Sequence, residues 1–117
     1  MLPSLDGRRF RSSAHVPSGD VGPATVFDYR QDGDVVHASY SGGDIRLGFL
    51  VGTRTGDRLD FRYVQLRVDG TTAAGHCLSE IELSDDDRLR LRETWAWETQ
   101  PGSGTSMVEE VKPSASG

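Results

Sequence analysis

Turn signals recur along this chain at short intervals, and they constrain the fold more than any other feature: Asp32-Gly33, Gly42-Gly43, Gly56-Asp57, Asp69-Gly70 and the acidic run Asp85-Asp86-Asp87. Each lies between stretches that alternate apolar and polar residues, which is the pattern of antiparallel strands joined by tight hairpins. The spacing predicts strands over 7–13, 24–31, 34–41, 44–53, 58–68, 71–83, 88–98 and 105–111. No window carries helical periodicity. Residues 14–23, with Pro17, Gly19, Gly22 and Pro23, read as an irregular crossing, 99–104 as a flexible loop and 112–117 as a frayed tail.

Directly opposed residues of an antiparallel pair share a face, so each turn length predicts which side chains point together. A two-residue turn at Asp32-Gly33 sets Tyr29 against Val36 and Phe27 against Ala38; one at Gly42-Gly43 sets Tyr40 against Ile45, Ala38 against Leu47 and Val36 against Phe49. The opposite face then carries Asp28, Arg30, His37, Ser39 and Arg46, as a solvated side should. The loop at Asp85 to Asp87 opposes Ile81 with Leu91, Ser79 with Glu93, Cys77 with Trp95 and Gly75 with Trp97. Strand five has apolar residues on both faces. A two-residue turn at Asp69-Gly70 places Arg62 and Val64 inside and Phe61 and Tyr63 outside, and no bulge is needed. The predicted interior is Phe27, Tyr29, Val36, Ala38, Tyr40, Ile45, Leu47, Phe49, Arg62, Val64 and the inner residues of the last hairpin, from Gly75 to Trp97.

About eight strands in meander order predict an all-β, antiparallel up-and-down barrel, whose closure removes exposed edges. At 117 residues there is material for one domain. The formal charge is −5, and the 13 basic residues, all arginine except Lys112, are scattered among 18 acidic ones. No basic stripe forms, so nucleic acid is not an expected partner. No run approaches the ~20 apolar residues of a spanning helix and Met1 to Asp20 lacks a signal-peptide core, so no membrane association is expected either. A lone cysteine, Cys77, agrees with a reducing compartment, and the expected location is cytoplasmic.

The run Glu93-Thr94-Trp95-Ala96-Trp97 puts a carboxylate and two indoles on one inner face, opposite Ser79, Cys77 and Gly75. Small residues beside large ones leave room for a ligand. Glu93 among apolar neighbours needs a partner or a raised pKa, and Arg62 is the expected partner. Such a pair either holds the fold together or orients a polar ligand, leaving Glu93 as the candidate acid or base. A second carboxylate, Glu109 or Glu110, comes from the last strand, with its facing open. Tyr29, Tyr40 and Phe49 complete the candidate ligand contacts, together with Arg62, Cys77, Ser79, Trp95 and Trp97. Cys77 has no histidine on its face and reads as an inert buried thiol. His15, His37 and His76 lack ligand spacing, so no metal is expected, and the Gly-x-Gly of Gln100 to Gly104 lacks the strand and helix that would frame a phosphate. No cofactor is expected.

The segments Asp6-Gly7-Arg8-Arg9-Phe10-Arg11-Ser12, Ala38-Ser39-Tyr40-Ser41-Gly42-Gly43, Asp60-Phe61-Arg62-Tyr63, Gly75-His76-Cys77-Leu78-Ser79 and Glu93-Thr94-Trp95-Ala96-Trp97 together resemble a family of small bacterial proteins often labelled n-acetylglutamate synthase. The resemblance spans roughly residues 5–111 and implies a lipocalin-like, calycin-type barrel. Acetyl transfer from coenzyme A ordinarily uses a helix N-terminus to hold the pyrophosphate, and this chain has no such helix, so acetyltransferase activity is not expected.

The expected function is a barrel that holds an apolar or amphipathic small molecule, with Trp95, Trp97, Tyr40 and Phe49 giving contact area and Arg62 with Glu93 fixing its polar end. The alternative is a cofactor-independent cyclase, isomerase or dehydratase using Glu93 as acid or base. Phe61, Tyr63, Leu78, Val35 and Leu50 form the expected outer patch, which predicts a two-fold homodimer.

Overall fold

The computed structural model describes residues 2–12 and 19–111. The predicted tail at 112–117, residue 13 at the end of the first predicted strand, and residues 14–18 of the predicted crossing, with His15 and Pro17, lie outside them. Eight strands follow in order: β1 (Arg9–Ser12), β2 (Val26–Asp32), β3 (Val35–Gly42), β4 (Ile45–Thr55), β5 (Arg58–Arg67), β6 (Thr72–Leu83), β7 (Leu89–Trp97) and β8 (Ser103–Glu110). Each pairs antiparallel with its sequence neighbour, and β1 pairs with β8 to close the barrel. No helix occurs among the described residues. β8 begins at Ser103, inside the stretch expected to be loop, because Ser103 and Gly104 pair with Ala96 and Trp95.

The first and last hairpins keep the predicted facing. In the first, Asp32 pairs with Val35, so the turn is Gly33-Asp34, one position later than expected. That moves the register by two residues, which preserves the face. Phe27 therefore meets Tyr40, Tyr29 meets Ala38, and all four are buried. In the last, Ile81 meets Leu91, Ser79 meets Glu93, Cys77 meets Trp95 and Gly75 meets Trp97, as read from the sequence.

The hairpin between them is inverted. Gly42 pairs with Ile45 but Tyr40 with Gly48, so a bulge lies between, contrary to the expectation that none is needed. On β4, Arg46 and Leu47 both face out; beyond them Gly48 and Leu50 point in and Phe49 and Val51 point out. A bulge inserts one residue and so reverses the alternation for the rest of the strand. Gly56-Asp57 is the expected two-residue turn, so β5 inherits the reversal: Leu59, Phe61 and Gln65 are buried, while Arg62 and Val64 are exposed. The loop before β6 then restores the facing because it holds three residues rather than two. Thr71 accepts from the Arg67 N–H at 2.8 Å around Val68-Asp69-Gly70, and Gly70, at φ 89°, takes the left-handed position that closes such a loop.

Four predicted interior residues, Leu47, Phe49, Arg62 and Val64, are thereby on the outer wall, and Phe49 is 53 % exposed. Arg62 pairs with Glu98 on the surface at 3.2 Å, not with Glu93. Phe61, Leu50 and the partly buried Tyr63 leave the predicted outer patch for the interior; Val35 and Leu78 alone of that patch stay outside.

One end of the barrel is plugged. Leu5, Phe10, Leu59, Leu89, Leu91 and Val108 fill it, and Arg54, buried on β4, ties the N-terminal segment across it by donating to the Leu2 and Pro3 carbonyls at 2.7 Å and to the Gly56 carbonyl at 2.8 Å. Glu110, inward on β8, joins this plug by accepting from Arg8 at 2.8 Å and from the Leu89 N–H at 3.1 Å. The second carboxylate is therefore Glu110, at the end away from the indoles.

Candidate functional site

Glycines inside the strands make room for aromatic rings at the other end. Five inward aromatics each face a glycine directly across the ladder: Tyr40 opposite Gly48, Phe61 opposite Gly52, Tyr63 and Trp97 opposite Gly75 from its two sides, and Trp95 opposite Gly104. A β-carbon at Gly48 would fall on the Tyr40 ring, and one at Gly75 on the Tyr63 hydroxyl. The lumen of a small barrel admits rings of this size where the facing strand has no side chain.

The rings line a cavity. On one side Phe27 and Tyr40 stack at 4.7 Å between centroids; on the other Trp97 meets Tyr63 at 5.5 Å and Trp95 at 5.8 Å, both edge-on. Leu50, Phe61 and Cys77 complete the apolar lining, with Gly19, Asp20 and Val21 at the mouth. About 470 Å³ of empty space lies between them, mouth included, of which about 50 Å³ admits the centre of a water molecule. Roughly 10 to 15 Å³ in that measure holds one water, so the enclosed part takes a compact group only.

Glu93 and Ser106 provide polarity among these walls. The Ser106 hydroxyl donates to Glu93 Oε1 at 2.9 Å, and Ser79, behind Glu93, also bonds to it. Burial raises the Glu93 pKa to about 7, against which the two serine bonds pull only partly. No ion pair joins Glu93 among the described residues. Burial also pushes the Tyr40, Tyr63 and Cys77 values well up, with the Glu93 charge adding to each, so these groups stay neutral near pH 7. The Cys77 thiol, within 3.6 Å of the Ser79 hydroxyl, is thus a poor nucleophile.

A polar chain ties the mouth. Tyr40 donates to Gln65 Oε1 at 3.0 Å, Gln65 donates to Asp20 at 2.7 Å, and Arg67 donates to the same Asp20 oxygen at 2.7 Å. Arg67 also lies over the Trp97 ring, 5.6 Å from its centroid. Asp20 thereby straps Gly19 to Val21 over the opening.

Of the predicted ligand contacts, Tyr40, Cys77, Trp95 and Trp97 line this cavity, as does Glu93, the candidate acid or base. Ser79 supports Glu93 from behind. Tyr29 lies in the core against Phe10 at 5.2 Å, its hydroxyl buried without a hydrogen-bond partner among the described residues. Phe49 and Arg62 are outside, for the parity reason given above. Sequence reasoning missed Phe61, Tyr63, Leu50 and Gln65 through the same inversion, Ser106 because it follows the loop after β7, and Asp20 because it lies within the predicted crossing, to which no face was assigned. The interior glycines Gly48, Gly52, Gly75 and Gly104 were the available signal. Among the described residues no cluster of His, Cys, Asp or Glu could hold a metal ion.

A family model described as "Avidin-like protein" matches residues 3–111. Comparison with curated proteins returns no match.

Proposed function

The chain belongs to the avidin-like family, and we propose that its barrel is a receptor for one compact amphipathic molecule, held between the aromatic walls with its polar end on Glu93. Small ligands such as biotin are what barrels of this family bind. The observation that carries the reading is Glu93 itself. A carboxyl that is only 7 % exposed, bonded to two serines and lacking an ion pair among the described residues, is costly to retain unless something in the cavity uses it. Packing alone would favour an apolar residue there.

The test is tryptophan emission and calorimetry with biotin and a panel of compact aromatic and heterocyclic compounds. Trp95 and Trp97 line the cavity, so an occupant should change their emission. If no compound changes emission, heat or melting temperature, the barrel is not a receptor of this kind. A second reading, a cofactor-independent enzyme, is favoured by the Glu93 value of about 7, which suits an acid or base near neutrality. Chromatography of a bound compound after long incubation separates the two, since a receptor returns it unchanged.

Self-association is retained as a proposal on a different surface. Phe49 and Val64 pair directly on the outer wall, with Leu47 and Val51 beside them, and all four are exposed. A second copy packed wall to wall would cover this stripe. Sedimentation decides: a concentrated wild type that stays monomeric removes the proposal, and a dimer that Phe49→Arg dissociates without unfolding supports it.

A further inference from the structure

We infer that the inner end of the cavity is a cation subsite, taking the protonated amine or other compact nitrogen cation of a ligand whose body lies between the aromatic walls; this rests on the receptor reading above. A carboxylate offers about four acceptor positions, and the bonds to Ser79 and Ser106 leave others open. What fills them must donate.

Among the described residues, neither positive side chain near the lumen can do so. Arg54 is tied into the plug at the far end by the Leu2, Pro3 and Gly56 carbonyls. Arg67 is held at the mouth by Asp20. Among the described residues, the titratable groups that face Glu93 from the other elements are Tyr29 on β2, Tyr40 on β3, Tyr63 on β5 and Cys77 on β6, with Asp20 in the same lining at the mouth. The phenols and the thiol are kept neutral by burial and Asp20 is an acid, so none supplies positive charge.

The walls add to this preference. Ring faces carry negative potential, and a cation near several of them gains attraction that grows as water is excluded. An anionic head would meet Glu93 in surroundings of low dielectric, where like charges repel strongly. A neutral N–H would satisfy a lone pair but leave the charge.

The experiment compares three probes of one shape at about pH 8, above the Glu93 value of about 7: 2-phenylethylammonium, 2-phenylethanol and phenylacetate. Titration by tryptophan emission and calorimetry should rank the ammonium about tenfold tighter than the alcohol, because both can donate to the carboxylate but only the ammonium also neutralises its buried charge. Phenylacetate should bind most weakly, and Glu93→Gln should abolish the preference. Should that variant fold poorly, carbon-13 NMR of the wild-type Glu93 carboxyl gives an independent reading, since saturating ammonium must lower its titration midpoint. An alcohol that binds as tightly as the ammonium, or a midpoint that the ammonium leaves in place, overturns the cation subsite while the receptor stands. A protein that binds none of the three but does bind a compound of the wider panel keeps the receptor and loses the cation subsite; one that binds nothing in either set loses both.

Discussion

Replacing Glu93 with glutamine should stabilise this protein at alkaline pH. The carboxyl pKa is raised from its ordinary 4.5 to about 7 because burial penalises its charged form. Between those two values the folded protein binds more protons than the unfolded chain, so stability falls as pH rises through the window. The stability is fully present below the lower value and lost above the upper one. A difference of about 2.5 units, at about 1.4 kcal/mol per unit, amounts to ~3 kcal/mol. With Glu93 only 7 % exposed, screening by solvent takes little from it. Glutamine keeps the shape, and the Ser79 and Ser106 hydroxyls can each donate or accept, so both of its amide groups find partners. Melts of wild type and Glu93→Gln by circular dichroism, from about pH 4.5 to about pH 8.5, isolate the effect, because other titrating groups cancel in the difference. The variant should gain on the wild type by roughly 10 °C across the window, on the usual scaling for a domain of this size. A flat difference, or a variant that melts below the wild type at the alkaline end, would mean that a buried cation compensates Glu93, and the electrostatic picture of the cavity would fail.

Other substitutions probe the facing and the walls. Arg62→Ala should cost under about 1 kcal/mol in a denaturant titration, since Arg62 and Glu98 are 66 % and 45 % exposed; a loss of several kcal/mol would return Arg62 to the interior. Gly75→Val should destabilise by about 1 to 3 kcal/mol or more and weaken ligand binding, because its side chain collides with Tyr63 and the Ala96 carbonyl. Wild-type stability and affinity in that variant would refute the ring-over-glycine packing. Cys77 should resist iodoacetamide in the folded protein and react once it is denatured; rapid alkylation of the native state would contradict its burial and raised pKa.

Strand number, order and most strand boundaries were legible from the sequence because turns and alternation are local. Gly56-Asp57 and the acidic loop before β7 identify their hairpins without reference to the rest of the molecule. The inner face of β7, with Glu93, Trp95 and Trp97, and its contacts with Cys77 and Ser79 followed from one turn length. Absolute facing is different, because each strand inherits it from its neighbour and one residue more or less reverses it. The bulge at Arg46-Leu47 and the third residue in the Val68 to Gly70 loop are two such reversals. They act on β4 and β5 and cancel outside them, so both outer hairpins kept the predicted facing while Phe49, Phe61 and Arg62 were each on the wrong side. Strand five could not expose the error, since Phe61 and Tyr63 balance Val64 and Leu66. Only closure of the barrel decides between them, because it brings Tyr40 of β3 within reach of Gln65 of β5 and surrounds Glu93 with walls from strands far apart in sequence. That surrounding, rather than any local pattern, leaves the carboxyl without a positive partner among the described residues and raises its pKa.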